Sequence, residues 1–153
     1  MLPAVRRATE SLNVSPEAVL AQSALETGWG QRMPRLADGS PSYNMFGIKA
    51  GDDWHGARAV ADTMEIVDGV ATPKKVAFRA YASPEESVKD FAKLLTNSPR
   101  YKEALASAGD AQSYIDSIGR AGYATDPDYS NKLSHILDSG TIQAALQPKL
   151  AKL

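Results

Sequence analysis

Two glutamates occupy positions where a carboxyl group could act as an acid or a base. Glu26 falls in the last turn of a predicted helix over 16–27, immediately before Gly28-Trp29-Gly30. The carboxyl end of a helix disfavours a carboxylate and raises its pKa, and desolvation by Trp29 would act in the same direction. A carboxyl group that stays protonated near neutral pH can serve as a general acid, although Glu26 could also be solvated at a frayed helix end.

Glu65 lies in a predicted strand, on the face that also carries Ala61 and Thr63. Glutamate is depleted in strands, so a glutamate at this position needs an explanation. The simpler interpretation is an exposed charge that protects an edge strand from aggregation. The alternative is a second carboxyl group across a cleft. Such a pair suits glycoside hydrolysis, in which one group protonates the leaving oxygen and the other activates water.

A glycine-rich stretch over 28–57 combines aromatic and amide side chains. A loop of this length is usually functional or disordered, and its aromatic content argues against disorder. Sugars stack on aromatic rings and hydrogen-bond to amides, whereas Phe46 and Trp54 could equally fill the core beneath the loop. The candidate binding residues here are Trp29, Tyr43, Asn44, Phe46, Gly47 and Trp54.

The segment Gly122-Tyr123-Ala124-Thr125-Asp126-Pro127 is predicted to join two helices. Gly122 would end the first helix and Asp126 would cap the second, which leaves Tyr123 at the tip, pointing into a groove. Capping alone accounts for Asp126 more readily than catalysis does.

The composition limits other kinds of chemistry. The chain has 153 residues, no cysteine and two histidines, so thiolate catalysis and disulfides are excluded. Seventeen basic and eighteen acidic side chains give a net charge of −1, which offers no overall attraction for nucleic acid. No apolar run approaches the ~20 residues that a membrane span needs. Asp52, Asp53 and His55 form only a weak metal pattern. We therefore expect no cofactor, no metal, no nucleic-acid partner and no membrane insertion.

Local signals predict a single, mainly helical domain. Serine or aspartate followed by proline marks helix starts at Ser15-Pro16, Ser83-Pro84, Ser98-Pro99 and Asp126-Pro127. The predicted helices cover about 3–12, 16–27, 84–97, 99–108, 111–121, 127–139 and 141–147. Residues 59–81 alternate in polarity around Asp68-Gly69, which is typical of a type I′ turn, and this predicts one β-hairpin as the only sheet.

Several motifs resemble, in order, those of the catalytic domain of glycoside hydrolase family 73. They are Leu20 to Gly30 (LAQSALETGWG), Tyr43 to Lys49 (YNMFGIK), Thr63-Met64-Glu65, Phe78 to Tyr81 (FRAY), Pro99-Arg100-Tyr101 and Gly122 to Pro127 (GYATDP). The resemblance spans about residues 5–140. It implies a lysozyme-like α+β fold, in which a small β-hairpin lobe borders a substrate cleft. It also implies cleavage of the β-1,4 bond between N-acetylglucosamine and N-acetylmuramic acid in peptidoglycan.

The same resemblance implies roles for individual residues. Glu26 matches the general acid, Glu65 the second glutamate of the β-lobe, and Tyr123 a tyrosine that faces the cleft. We expect substrate binding by the candidates named above together with Gln22 and Asp126. Inversion by the two glutamates and assistance by the substrate's 2-acetamido group both remain open. A non-catalytic wall-binding module and a lytic transglycosylase are the alternative functions.

Within this family, the motifs resemble those of the hydrolase domain of a flagellum-specific protein of Gram-negative bacteria. This resemblance implies a periplasmic, monomeric enzyme whose partner is the glycan strand of peptidoglycan. We expect residues 1–153 to be one catalytic domain of a longer chain. Contacts with flagellar rod proteins would then be made by an N-terminal domain outside this sequence.

Overall fold

The computed structural model describes residues 2–106 and 109–146, which form a helical body with one long β-hairpin beside it. The helices are α1 (Leu2–Leu12), α2 (Pro16–Thr27), α3 (Pro84–Asn97), α4 (Lys102–Ala106), α5 (Ala111–Arg120), α6 (Tyr129–Asp138) and α7 (Thr141–Leu146). The hairpin consists of β1 (Arg58–Val67) and β2 (Val70–Arg79). This confirms the predicted fold class. No helix within the described ranges has both the length and the apolar character that a membrane span requires.

Side-chain caps fix the helix starts much as the sequence predicts. The Ser15 hydroxyl accepts a hydrogen bond from the Ala18 N–H at 3.3 Å, and the Ser83 hydroxyl accepts one from the Glu86 N–H at 3.3 Å. The Glu86 carboxylate returns to the N–H of Ala82, at 3.0 Å, so the capping box closes one residue before the cap itself.

The predicted start of α6 is wrong by two residues. Asp128 stands at the N-cap position and the helix begins at Tyr129. The reason is that Asp126 accepts a hydrogen bond from the Asp128 N–H at 2.8 Å and pairs with Lys132, which adds a turn before the helix.

The predicted helix over 99–108 is divided. A 3₁₀ turn over Pro99–Tyr101 precedes α4, and residues 107 and 108 lie outside the described residues. The end of the last predicted helix, residue 147, also lies outside them.

The hairpin has the predicted turn and register. Asp68 and Gly69 both have positive φ, 50° and 78°, as a type I′ turn requires, and Val67 pairs with Val70. A bridge between Lys49 and Phe78 places the glycine-rich segment beside β2. One edge of the hairpin is therefore hydrogen-bonded to residues 48–50.

Helix α2 lies at the centre of the helical body. Its residues from Ala18 to Ala24 are all buried, and it packs against α1, α5, α6 and α7. A helix that is buried on every side carries small and apolar residues all round. The chemical consequence is that Glu26, two residues beyond this buried stretch, emerges from the core at a fixed position.

The Asn44 side chain organises the glycine-rich segment. Its amide N–H groups donate to the carbonyl oxygens of Ile48 and Arg79, both at 2.8 Å. Its oxygen accepts from the N–H groups of Phe46 at 3.3 Å and Ile48 at 3.1 Å. Asn44 is fully buried, so these bonds replace the regular secondary structure that the segment lacks.

We expect Asn44→Asp to destabilise the fold strongly. The side chain keeps its shape, but it loses both N–H donors and directs a carboxylate at two carbonyl oxygens. A buried polar group without its partner costs about 1–3 kcal/mol, so the free energy of unfolding should fall by roughly 2–4 kcal/mol. Urea denaturation followed by circular dichroism measures this change. Asn13→Asp makes the same replacement at an exposed site and should cost less than about 0.5 kcal/mol. Equal midpoints for both variants would contradict the role of Asn44.

Candidate active site

A cleft of about 570 Å³ separates the β-hairpin from the helical body. Glu26 and Tyr129 line it from α2 and α6, Glu65 lines it from β1, and Tyr123 lines it from the loop before α6. Gly47 and Asp126 also contribute to its walls. The structure thus brings the three predicted catalytic residues into one cavity.

Glu26 is positioned by the end of α2. The helix ends at Thr27, and Gly28 adopts the left-handed conformation that closes it, with φ of 55°. Burial in the cleft wall is the main cause that raises the pKa of the Glu26 carboxyl, to about 7. A hydrogen bond from the Tyr129 hydroxyl, at 2.9 Å, acts in the opposite direction. Trp29, which we expected to desolvate Glu26, is 54% exposed, so burial has another source.

Part of that source is the backbone of Gly47. A Cβ atom built at Gly47 would lie 2.5 Å from Oε2 of Glu26, and the residue also has φ of +66°. Any side chain here would clash with the carboxyl group and strain the backbone. The close approach of Glu26 is therefore the physical reason for a glycine at position 47 of the YNMFGIK motif.

Glu65 has the opposite environment. Oε1 pairs with the Lys49 ammonium group at 2.7 Å, and Oε2 accepts a hydrogen bond from the Thr125 hydroxyl at 2.9 Å. Burial raises the pKa of this carboxyl, but the hydrogen bonds from Lys49 and Thr125 and the positive charge of Lys49 outweigh it, and the pKa is lowered. The pKa values of two carboxyl groups in one cleft are thus moved in opposite directions, which is how acid and base roles are divided in enzymes.

Tyr123 forms the wall between these groups and the core. Its hydroxyl donates to the carbonyl oxygen of Phe46 at 2.5 Å, and its ring stacks on Tyr129 with centroids 5.9 Å apart. Burial raises the pKa of Tyr123 well above its usual value, so the hydroxyl stays protonated. It can donate a hydrogen bond, and it cannot act as a base near neutral pH.

The predicted binding residues fall into three groups. Gly47 and Asp126 line the cleft, whereas the side chains of Gln22, Asn44 and Phe46 are fully buried behind it. Phe46 stacks on Phe91 with centroids 4.0 Å apart, in agreement with the core-filling interpretation.

The remaining three, Trp29, Tyr43 and Trp54, are not among the residues that line the cleft. Trp54 packs edge-on against Tyr81 and lies beneath the guanidinium group of Arg79, so it supports the base of the hairpin. Its indole N–H donates to the carbonyl of Ala57 at 2.9 Å.

Three residues that position the glutamates were not singled out from the sequence. Tyr129 binds Glu26, and Lys49 and Thr125 hold Glu65. Lys49 and Thr125 belong to the YNMFGIK and GYATDP motifs, and this membership is the sequence feature that could have identified them. Tyr129 follows Asp126 by three residues and carries no local pattern that distinguishes it from a core residue.

Comparison with known proteins places this geometry in a family. Residues 2–141 match the family described as glucosaminidase, mannosyl-glycoprotein endo-beta-N-acetylglucosaminidase. A peptidoglycan hydrolase FlgJ of Vibrio parahaemolyticus is 43% identical over 136 residues, which are 89% of this chain and 44% of that protein. A peptidoglycan hydrolase FlgJ of Pseudomonas aeruginosa is 44% identical over 136 residues, covering 89% and 34%. The chain spans less than half the length of these relatives.

Solved structures agree. A peptidoglycan hydrolase mutant from Sphingomonas sp. A1 superposes with a TM-score of 0.87 and 40% identity, over 94% of this chain and 92% of that one. A truncated glycoside hydrolase domain of Salmonella typhimurium FlgJ gives 0.73 and 40%, over 94% and 93%. With its fold, its cleft and its sequence in accord, the chain belongs to the glucosaminidase family, glycoside hydrolase family 73.

Proposed function

We propose that this chain hydrolyses peptidoglycan at the β-1,4 bond between N-acetylglucosamine and N-acetylmuramic acid. The observation that carries the proposal is one cleft lined by two carboxyl groups in contrasting surroundings. Burial raises the pKa of Glu26, which lies beside Tyr129. Contacts with Lys49 and Thr125 lower the pKa of Glu65. Such a pair suits the hydrolysis of a glycosidic bond. Membership of the glucosaminidase family and the names of the FlgJ relatives support the choice of substrate.

In the proposed mechanism Glu26 donates its proton to the leaving glycosidic oxygen. The Glu65 carboxylate takes a proton from a water molecule as that water attacks the anomeric carbon from the opposite face, which inverts its configuration. Tyr123, on the cleft wall, helps to hold the charged transition state or the substrate's acetamido group by exchanging the hydrogen bond that its hydroxyl donates to the Phe46 carbonyl for one to the substrate. Gly47 and Asp126 line the sugar path, and Gln22, Asn44 and Phe46 support it from behind.

The setting of the reaction is part of the same proposal. The name FlgJ of the relatives and the resemblance described above support a periplasmic domain of a longer protein that opens the wall locally for flagellar rod assembly. Direct contacts with rod proteins would belong to another part of that protein. We propose that this domain acts as a monomer, because both glutamates come from one chain.

Glu26→Gln should abolish the activity, because glutamine has nearly the same shape but no transferable proton. Loss of a general acid typically costs about 10²–10⁴-fold in rate. The measurement is turbidity loss of cell-wall suspensions, with Glu10→Gln on the exposed face of α1 as the matched control.

Mass spectrometry of borohydride-reduced wild-type products should show the new reducing end on N-acetylglucosamine. A reducing N-acetylmuramic acid, an anhydro-muramyl product, or wall binding without released ends would contradict the proposed function.

The product anomer tests the role of Glu65. Inversion predicts that NMR recorded immediately after cleavage shows the α-anomer, and that Glu65→Gln loses activity as severely as Glu26→Gln. Glu103→Gln, which removes a carboxylate from an exposed ion pair with Arg120, is the control. A β-anomer together with a modest loss in Glu65→Gln would favour substrate assistance instead.

The rate should depend on pH through both carboxyl groups. Glu26 is active when protonated, so kcat/KM should fall as pH rises through about 7. Glu65 is active when ionised, and its lowered pKa places the acid limb below the ordinary glutamate value of 4.5. Initial rates of reducing-end release between pH 3 and 9 measure both limbs. A rate that stays constant from pH 6 to 9 would contradict the assignment of Glu26.

A further inference from the structure

Buried hydrogen bonds run without interruption from the core to Glu26. The Tyr114 hydroxyl bonds to Oε1 of Gln22 at 2.5 Å, Nε2 of Gln22 bonds to the Tyr129 hydroxyl at 3.3 Å, and that hydroxyl bonds to Oε1 of Glu26 at 2.9 Å. Tyr114 and Gln22 are fully buried and Tyr129 is 4% exposed. This series of hydrogen bonds joins α5, α2 and α6, with Tyr114 and Gln22 behind the cleft and Tyr129 at its wall.

When Glu26 is ionised, the donors and acceptors of these groups allow only one direction of donation along the series of hydrogen bonds, from Tyr114 to Glu26. A tyrosine hydroxyl has one proton, and a glutamine amide has one accepting oxygen and one donating nitrogen. Tyr114 donates to the Gln22 oxygen, which leaves the Gln22 nitrogen to donate to the Tyr129 oxygen. Tyr129 thus keeps its own proton for Glu26. Reversing the Gln22 amide would take that proton away from Glu26 and toward Gln22.

The direction distinguishes the two oxygens of the carboxyl group. Oε1 receives the Tyr129 proton, so it is an acceptor on the core side. Oε2 lies against Gly47 on the cleft wall, where the absent side chain leaves it room. A carboxylic acid carries its proton on the oxygen that is not already accepting a strong hydrogen bond, which here is Oε2.

We infer that Tyr129 is a positioning residue for catalysis, which directs the transferable proton of Glu26 to Oε2, and that Gln22 orients Tyr129 for this task. The inference rests on the proposed function, in which Glu26 is the general acid. Neither residue needs to touch the substrate for this role. The charged and titratable groups that act on Glu26 from the other elements are Glu65 on β1 and Lys49 beside β2, while Tyr123 stacks on Tyr129.

Tyr129→Phe is the direct test, because it removes one hydroxyl and keeps the ring that stacks on Tyr123. The lost hydrogen bond lowers the pKa of Glu26 in the wild type, so the high-pH limb of kcat/KM should move upward, by about one pH unit. We also expect kcat at the optimum to fall about tenfold, since the carboxyl group is free to rotate, while KM stays within about twofold of the wild type.

Tyr81→Phe is the matched control. It also removes a partly buried hydroxyl that donates to a carboxylate, that of Asp90 at 2.5 Å, and Tyr81 does not line the cleft. This variant should lose stability but keep the position of the high-pH limb. A limb that does not move in folded Tyr129→Phe, or a rise in KM with unchanged kcat, would overturn the inference.

A second readout does not depend on turnover. The ¹³C shift of the Glu26 carboxyl carbon can be titrated in the wild type and in Tyr129→Phe, and the midpoint should move upward in the variant. If Tyr129→Phe fails to fold, Gln22→Met tests the same chain and should move the midpoint in the same direction by a smaller amount. A wild type that releases no reducing ends would refute the proposed function, whereas an unmoved midpoint would refute only the role of Tyr129.

Discussion

The constraint on which the site depends is the burial of one carboxyl group. Glu26 leaves the core at the end of α2 and lies against the backbone of Gly47, where an ionised carboxylate is poorly solvated. The surroundings therefore favour the protonated form of this carboxyl group and fix the positions of its two oxygens. Gly47 allows the close approach that buries the carboxyl group, and the left-handed turn at Gly28 ends α2 just beyond it. The Tyr129 hydroxyl fixes one carboxyl oxygen, although its hydrogen bond lowers the pKa that burial raises.

A single amide connects this acid to the second carboxyl group. Asn44 binds the backbone around Gly47 and also the carbonyl of Arg79 at the end of β2. Because β2 pairs along its length with β1, the position of Glu65 is fixed relative to the wall that Glu26 touches. The glycine-rich loop thus connects the two lobes through the hydrogen bonds of Asn44, and Thr125 joins them on the opposite side by donating to Glu65.

The parts that could be predicted from sequence are those whose causes are local. Ser15-Pro16 and Ser83-Pro84 at helix starts, and Asp68-Gly69 in the hairpin, act on neighbours within four residues, and these predictions are confirmed. The same pattern at Ser98-Pro99 is wrong as a helix cap, because a 3₁₀ turn follows and the Ser98 side chain makes no capping hydrogen bond. The bond between Tyr129 and Glu26 spans 103 positions and leaves no such pattern. Asp126 shows the limit within a local motif, because its carboxylate could cap a helix or form a tighter turn, and the partner Lys132 favours the turn.

The division of labour between the two glutamates also has an energetic cost. The pKa of Glu26 in the folded chain lies near 7, above the value of 4.5 for an unperturbed glutamate. The contribution of this group to stability is therefore complete below about pH 4.5 and is lost as pH rises through 7, on the order of 3 kcal/mol in total. The ion pair of Glu65 with Lys49 acts in the other sense, because the lowered pKa of Glu65 favours the fold at neutral pH. The ionised Glu65 therefore offsets part of the stability that is lost at neutral pH by burying Glu26. Its contacts with Lys49 and Thr125 lower its pKa and also hold the hairpin against the rest of the domain.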